Sequence, residues 1–147
     1  MTIAKVTVNE IEATASLFDA YRVFYGHASD IAAAREFINA RVVNKESVIL
    51  LARDEGGKAV GFTQLYPSFS SVSVARTWIL NDLFVNETQR GKGIGKQLLN
   101  AAKAHAIATG AKGLSLETAR DNTNAQALYE SLGYERDNHY YSYFLTV

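Results

Sequence analysis

The run Gln89-Arg90-Gly91-Lys92-Gly93-Ile94-Gly95-Lys96 sets three alternating glycines among three cations. It follows an apolar, strand-like stretch, Trp78 to Val85, and precedes a helix-like one, Gln97 to Lys103. Glycine lets the backbone take φ > 0 and come close to a ligand. The free N–H groups of a helix start, with the helix dipole, attract an anion. Successive loop N–H groups form a concave nest for phosphate oxygens. Arg90, Lys92 and Lys96 add positive charge. The chemistry on offer is the holding of a pyrophosphate.

Two familiar phosphate cradles do not fit. The ATP-binding loop requires G-x-x-x-x-G-K-[ST]. Counting back five from Gly95 gives Arg90, and Gln97 stands where a magnesium-holding hydroxyl belongs. The dinucleotide fingerprint G-x-G-x-x-G accepts Gly91 and Gly93 but meets Lys96 at its third position.

Arg90-Gly91-Lys92-Gly93-Ile94-Gly95 is similar to the [RQ]-x-x-G-x-[GA] signature of the GCN5-related N-acetyltransferases. A second segment, Asn122-Thr123-Asn124-Ala125-Gln126-Ala127-Leu128-Tyr129-Glu130-Ser131-Leu132-Gly133-Tyr134, resembles that family's N-x-x-A-x-x-L-Y-E-x-x-G-[FY]. The two come in the family's order, and the resemblance covers residues 47 to 147. It implies acetyl-CoA as co-substrate, no metal, and transfer of an acetyl group to the primary amine of a small molecule. A polyamine, a diamine or an amino-acid-like compound would serve. The strand Ile79 to Val85 looks most like that of the small-amine, spermidine/spermine branch. Protein lysine or N-terminal acetylation would use the same motifs, and a non-enzymatic acyl-CoA sensor would share the cradle.

Acetyl transfer needs an anchored pyrophosphate, a polarised thioester carbonyl, a deprotonated amine and a protonated leaving thiolate. By the resemblance, Arg90, Gly91, Lys92, Gly93, Ile94, Gly95 and Lys96 hold the pyrophosphate. The backbone of Leu83, Phe84 and Val85 meets the pantetheine arm, and Asn122 touches the cofactor. Tyr129 matches the family's general acid; a phenol with a pKa of ~10 keeps its proton at neutral pH. It also falls in the apolar stripe Ala125, Leu128, Leu132, as a core tyrosine would. The small-amine branch carries an acidic pair on the fourth strand. Here Asn81 replaces its first member, leaving Asp82 as base through a water, or as the seat of a cationic amine. Glu117 is another candidate base, and an amine that arrives already neutral needs none. Of the aromatic residues Tyr21, Phe24, Tyr25, Tyr66, Phe69 and Trp78, most suit the core, and Tyr25 and Trp78 are the better candidate walls of a substrate cleft, where an alkylammonium would gain cation–π contact. His27, His105 and His139 have no metal-ligand spacing, and His105 is expected to face solvent or the end of its helix.

These groups need a scaffold. The hydrophobic periodicity predicts β-α-α-β-β-β-α-β-α-β-β. Strands are expected over Ile3–Val8, Ser47–Ala52, Ala59–Tyr66, Val72–Val85, Leu114–Glu117, Tyr134–Asn138 and Tyr140–Leu145. Asn9 and Asp30 are expected to cap the first two helices. The third should run from about Gly93 to Thr109, and Asn122 or Asn124 should cap the fourth. The fold class is mixed α/β: one domain, 1–147, with a mostly antiparallel sheet of about seven strands flanked by four helices. The resemblance adds a splay between the fourth and fifth strands and a β-bulge near Asp82 to Phe84.

Composition narrows the setting. The chain has 147 residues, 48% hydrophobic and 20% charged, with a single proline. These values suit one packed domain. Fifteen basic and fifteen acidic residues balance, so nothing draws the chain globally to nucleic acid. There is no cysteine, hence no disulfide or thiolate chemistry. No apolar run approaches the ~20 residues of a membrane span, and the first residues lack the apolar core of a signal peptide. A cytoplasmic protein is expected. The resemblance and the aromatic segment Tyr140-Tyr141-Ser142-Tyr143-Phe144 imply a homodimer, because an open aromatic edge invites association.

Overall fold

Val48 to Ala52 are all buried, the pattern of a strand covered on both faces. In the computed structural model, which describes all 147 residues, this segment is the second strand of a five-stranded sheet. The elements run β1 (Thr2–Lys5), α1 (Ile11–Phe24), α2 (Ile31–Val43), β2 (Val48–Arg53), β3 (Ala59–Ser70), β4 (Ala75–Val85), α3 (Ile94–Ala108), β5 (Leu114–Ser115) and α4 (Thr123–Ser131). Spatial order follows chain order. The first four strands are antiparallel, and β5 lies parallel to β4. No helix is long and apolar enough to cross a membrane.

Residues 1–116 form one compact unit and residues 117–147 a second. In the first, α1 and α2 cover one face of the sheet. Leu17, Phe18, Ala34 and Ile38 pack there with Ile49, Leu51, Phe62 and Phe84. Helix α3 packs against β2, β3 and β4 and buries Ile94, Leu98, Leu99, Ala102 and Ala106. In the second unit, Asn122 caps α4 by accepting from the Ala125 N–H at 3.3 Å. Gly133, at φ +94°, ends the helix, and the Tyr134 N–H returns to the Tyr129 carbonyl at 3.1 Å.

Several expectations are corrected. The sheet has five strands, not about seven, because the pair over Tyr134–Asn138 and Tyr140–Leu145 does not form. Strand β5 shrinks from four residues to two. Strands exist where a neighbour takes up their N–H and C=O groups, and the tail has none. Asn9 does not cap α1; no side chain does, and Thr7 instead caps the short 3-10 turn Val8–Glu10 that leads into it. Thr7 and Glu10 form a capping box in which Glu10 Oε2 accepts from the Thr7 N–H at 2.9 Å. The T-x-x-E pattern was present to be read. Strand β3 continues past Tyr66 through Pro67 to Ser70. Pairing with β2 stops at Leu65, so Pro67 lies where β4 is the sole neighbour. Proline is tolerated on such a local edge.

Candidate active site

The end of β4, the loop behind it and the start of α3 build the first part of the site. Gly91 and Gly93 both take φ +78°, a left-handed conformation that side chains disfavour. A Cβ placed on either meets nothing within 4 Å. Conformation rather than crowding therefore demands glycine there, and the space before the loop is open to a ligand. Gly95 is helical, and a Cβ on it would meet only Val85 Cγ2, at 4.0 Å. The protein itself gives no reason for a glycine at that position. The Gln97 N–H bonds to the Gly93 carbonyl at 3.1 Å. The N–H groups of Ile94, Gly95 and Lys96 precede it, at the positive end of the α3 dipole. The Ile94 side chain is buried and fixes this turn to the core. The loop thus fits an anionic group approaching along its backbone.

Its cations divide. Arg90 Nε donates to the Val85 carbonyl at 3.0 Å, and the guanidinium lies over the rings of Phe24 and Phe84, 4.8 and 5.7 Å from their centroids. Lys92 Nζ donates to Gln89 Oε1 at 2.9 Å. Lys96 is exposed on the first turn of α3.

Strand β4 supplies the second part. In the β3–β4 ladder Gln64 faces Asp82 and Leu65 faces Leu80, so Asn81 is the extra, bulged residue. The bulge lies just before the expected Asp82 to Phe84 segment. On the other side of β4, β5 pairs only with Trp78 and Ile79. From Leu80 to Val85 that edge has no strand partner. Leu83 and Val85 are half-buried there, while the Phe84 side chain belongs to the core.

The bulge presents a buried carboxylate. Asp82 is 5% exposed. Its Oδ2 accepts from Gln64 Nε2 at 2.7 Å and its Oδ1 from Asn81 Nδ2 at 3.1 Å. The Tyr21 hydroxyl lies close enough to feel the same carboxylate. Gln64, fully buried, accepts in turn from Ser47 Oγ at 2.7 Å. Burial, reinforced by the negative charge of Asp82, pushes the Tyr21 phenol well above its ordinary range. The same two causes, in the same order, raise Tyr66 to about 12. Both hydroxyls therefore stay protonated and can only donate to an anion beside them. Tyr25, 63% exposed, sets its ring edge against Tyr21 at 5.0 Å and forms the outer rim.

The structure brings Asp82, Tyr25 and the β4 edge into one region. It does not bring Trp78 there. Trp78 is buried, with Nε1 donating to Thr109 Oγ1 at 2.9 Å and its ring 4.9 Å from that of His105, both on the α3 side. His105 is correspondingly half-buried rather than turned to solvent, and its pKa is lowered by burial and then by Lys5. Tyr129 and Asn122 lie in the second unit. There the Tyr129 ring packs 5.9 Å from that of Tyr134, whose phenol is raised by burial and then by Tyr129. Sequence reasoning did not assign Ser47 or Gln64 to the site, and it ranked Tyr21 and Tyr66 below Tyr25 and Trp78 as cleft residues. One signal was available: Thr63-Gln64 interrupts the apolar run Ala59 to Tyr66, as Asn81-Asp82 interrupts the run Trp78 to Val85.

Comparison with known proteins identifies the family. The profile of the acetyltransferase (GNAT) family matches residues 14–134, across both units. An uncharacterized N-acetyltransferase of Bacillus subtilis, YhfO, is 50% identical over 147 residues, covering 100% of this chain and 98% of that protein. The crystal structure of a probable acetyltransferase superposes with a TM-score of 0.94 at 42% identity, covering 100% of this chain and 98% of that one. The D-amino-acid N-acetyltransferase HPA3 of Saccharomyces cerevisiae is 32% identical over 83 residues, 56% of this chain and 52% of that protein.

Proposed function

Because the chain belongs to the GNAT family of acetyltransferases, we propose that it acetylates the primary amine of a small molecule, with acetyl-CoA as donor and the whole chain, 1–147, as one catalytic domain. The observation that carries this reading is the buried Asp82 carboxylate at the β4 bulge, ringed by tyrosines and next to an unpaired strand edge. A negative charge behind an aromatic rim suits an ammonium of modest size. The similar yeast protein is a D-amino-acid N-acetyltransferase, which supports a small acceptor.

Acetyl-CoA supplies an activated acetyl thioester and departs as a thiol. The chain's own groups do the rest. The N–H groups around Gly91, Gly93 and Gly95, with Lys92 and Lys96, bind the pyrophosphate. The backbone of Leu83, Phe84 and Val85 orients the pantetheine arm. Asp82 attracts the ammonium and takes its proton through water, since Gln64 and Asn81 already donate to its two oxygens. Tyr129 gives a proton to the leaving sulfur. A homodimer in the cytoplasm is the working form.

The test is thiol release from acetyl-CoA with diamines, polyamines, amino acids and a histone-tail peptide. Turnover on the small amines supports the proposal. Turnover confined to the peptide would replace it with protein acetylation, and binding of acetyl-CoA with no turnover on any amine would favour a sensor.

A further inference from the structure

Arg41, in the last turn of α2, carries a guanidinium that the fold leaves mostly unused. It lies over the Phe37 ring, 4.4 Å from the centroid, and Phe37 stacks in turn on Phe18 at 5.4 Å. One terminal nitrogen, Nη2, meets Glu46 Oε1 at 3.1 Å. Nε is buried and has no hydrogen-bond partner. A buried donor without an acceptor is costly, and native structures keep few of them. A cation here suits the α2 dipole, but the dipole asks only for charge, which a lysine in water would supply. The Arg41 side chain is instead only 24% exposed, and the ring beneath it holds the guanidinium plane.

Its surroundings are those of the site. Glu46 leads directly into Ser47, whose Oγ donates to Gln64, whose amide donates to Asp82. Gln64 and Tyr66 stand two apart on β3, on the face where Phe62 packs with α1 and α2. The Tyr66 phenol registers the charges on both sides. Burial and then Asp82 raise its pKa, Arg41 pulls it back, and Glu46 adds to the rise. The region therefore has two poles, a buried carboxylate at Asp82 and a guanidinium with donors to spare.

We infer that Arg41 binds a carboxylate on the acceptor, so that the amine acetylated is an amino acid or another aminocarboxylate rather than a polyamine. This rests on the proposed function and narrows it. The planar guanidinium matches a carboxylate with two parallel hydrogen bonds. The Tyr66 hydroxyl, which keeps its proton, is a further donor to the same group. The ammonium turns to Asp82. A polyamine would satisfy Asp82 but bring a second ammonium towards Arg41, and a like-charge contact of this kind selects against it. Glu46 does not reverse the sign, because its Oε1 is engaged with Arg41 and its side chain, 50% exposed, is the more solvated of the pair.

The test assays a panel of L- and D-amino acids by thiol release, each beside the amine that its decarboxylation leaves. For the best amino acid, kcat/KM should exceed that of the matched amine about ten- to a hundredfold, as a hydrogen bond to a charged group allows. Arg41→Gln, checked for folding by circular dichroism, should collapse this ratio towards one, chiefly through KM for the amino acid. Arg41→Lys, which keeps the charge without the fork, should restore part of it. Matched amines turned over as well as the amino acids would overturn the inference and leave the proposed function standing. So would a ratio that Arg41→Gln leaves unchanged, or a preference for polyamines that Glu46→Gln removes. Turnover of a peptide alone would overturn the proposed function and this inference together.

Discussion

Gln64 donates its side-chain amide to the Asp82 carboxylate across the β3–β4 ladder at 2.7 Å, directly opposite the bulge. Both side chains are buried, so removing one strips the other of a direct hydrogen-bond partner. Gln64→Leu takes a donor from Asp82 and an acceptor from Ser47. A buried polar group left unsatisfied costs about 1–3 kcal/mol, which for a chain of this size lowers the melting temperature by several degrees. Urea and thermal unfolding should both register the loss. Stability within about 0.5 kcal/mol of the unaltered protein would mean that the pair contributes nothing.

Gly95 and Gly93 should respond in opposite ways. Gly95→Ala meets only ordinary van der Waals contact with Val85 and a helical backbone, so the folded protein should gain up to about 1 kcal/mol. If the loop holds the pyrophosphate as proposed, acetyl-CoA affinity should nevertheless fall, because the methyl group would stand in the path of its phosphates. Gly93→Ala places a side chain at φ +78° and should lose about 1–2 kcal/mol. Calorimetric titration beside thermal melts separates the two effects. Unchanged affinity in the stabilised Gly95→Ala protein would remove this loop from the cofactor site.

Tyr129→Phe keeps the ring packed against Tyr134 and deletes the proposed acid. Loss of a positioned general acid slows turnover about 10²–10⁴-fold, while cofactor affinity should move little. A kcat within about threefold of the unaltered enzyme, with chemistry shown to limit the rate, would return Tyr129 to a packing role.

His105 provides a pH signal read by Trp78, the single tryptophan. Burial lowers the His105 pKa from its ordinary 6.5. The unfolded chain therefore takes up this proton at a higher pH than the folded one. The associated stability is complete above the ordinary value and is lost as pH falls through the depressed one. With the two rings 4.9 Å apart, Trp78 fluorescence should titrate with a midpoint below 6.5, and His105→Gln should abolish the transition. A midpoint at or above 6.5 would contradict the burial argument.

The parts that were legible in the sequence are those specified locally. Gly91 and Gly93 announce a left-handed loop because other residues strain there, and Asn122 announces a cap because its side chain bonds three residues on. Asp30 behaves likewise, accepting from Ala33 at 3.1 Å. What was hidden depends on distant pairing. Gln64 meets Asp82 only once the bulge at Asn81 sets the register, and no single-strand pattern encodes that offset. Trp78 resembled a cleft residue by type, but the sheet turns it toward α3. The closing strands failed for a related reason: a β-forming sequence is not a strand until something pairs with it.

The cradle is tied at both ends. Arg90 holds one side to the Val85 carbonyl, and the buried Ile94 holds the other. A loop fixed in this way has little ordering left to undergo when a ligand arrives. Cofactor capture should therefore be a single kinetic step. In stopped-flow mixing, the observed rate should rise linearly with acetyl-CoA concentration and reach no plateau, because no slow rearrangement of the loop stands between encounter and the bound state.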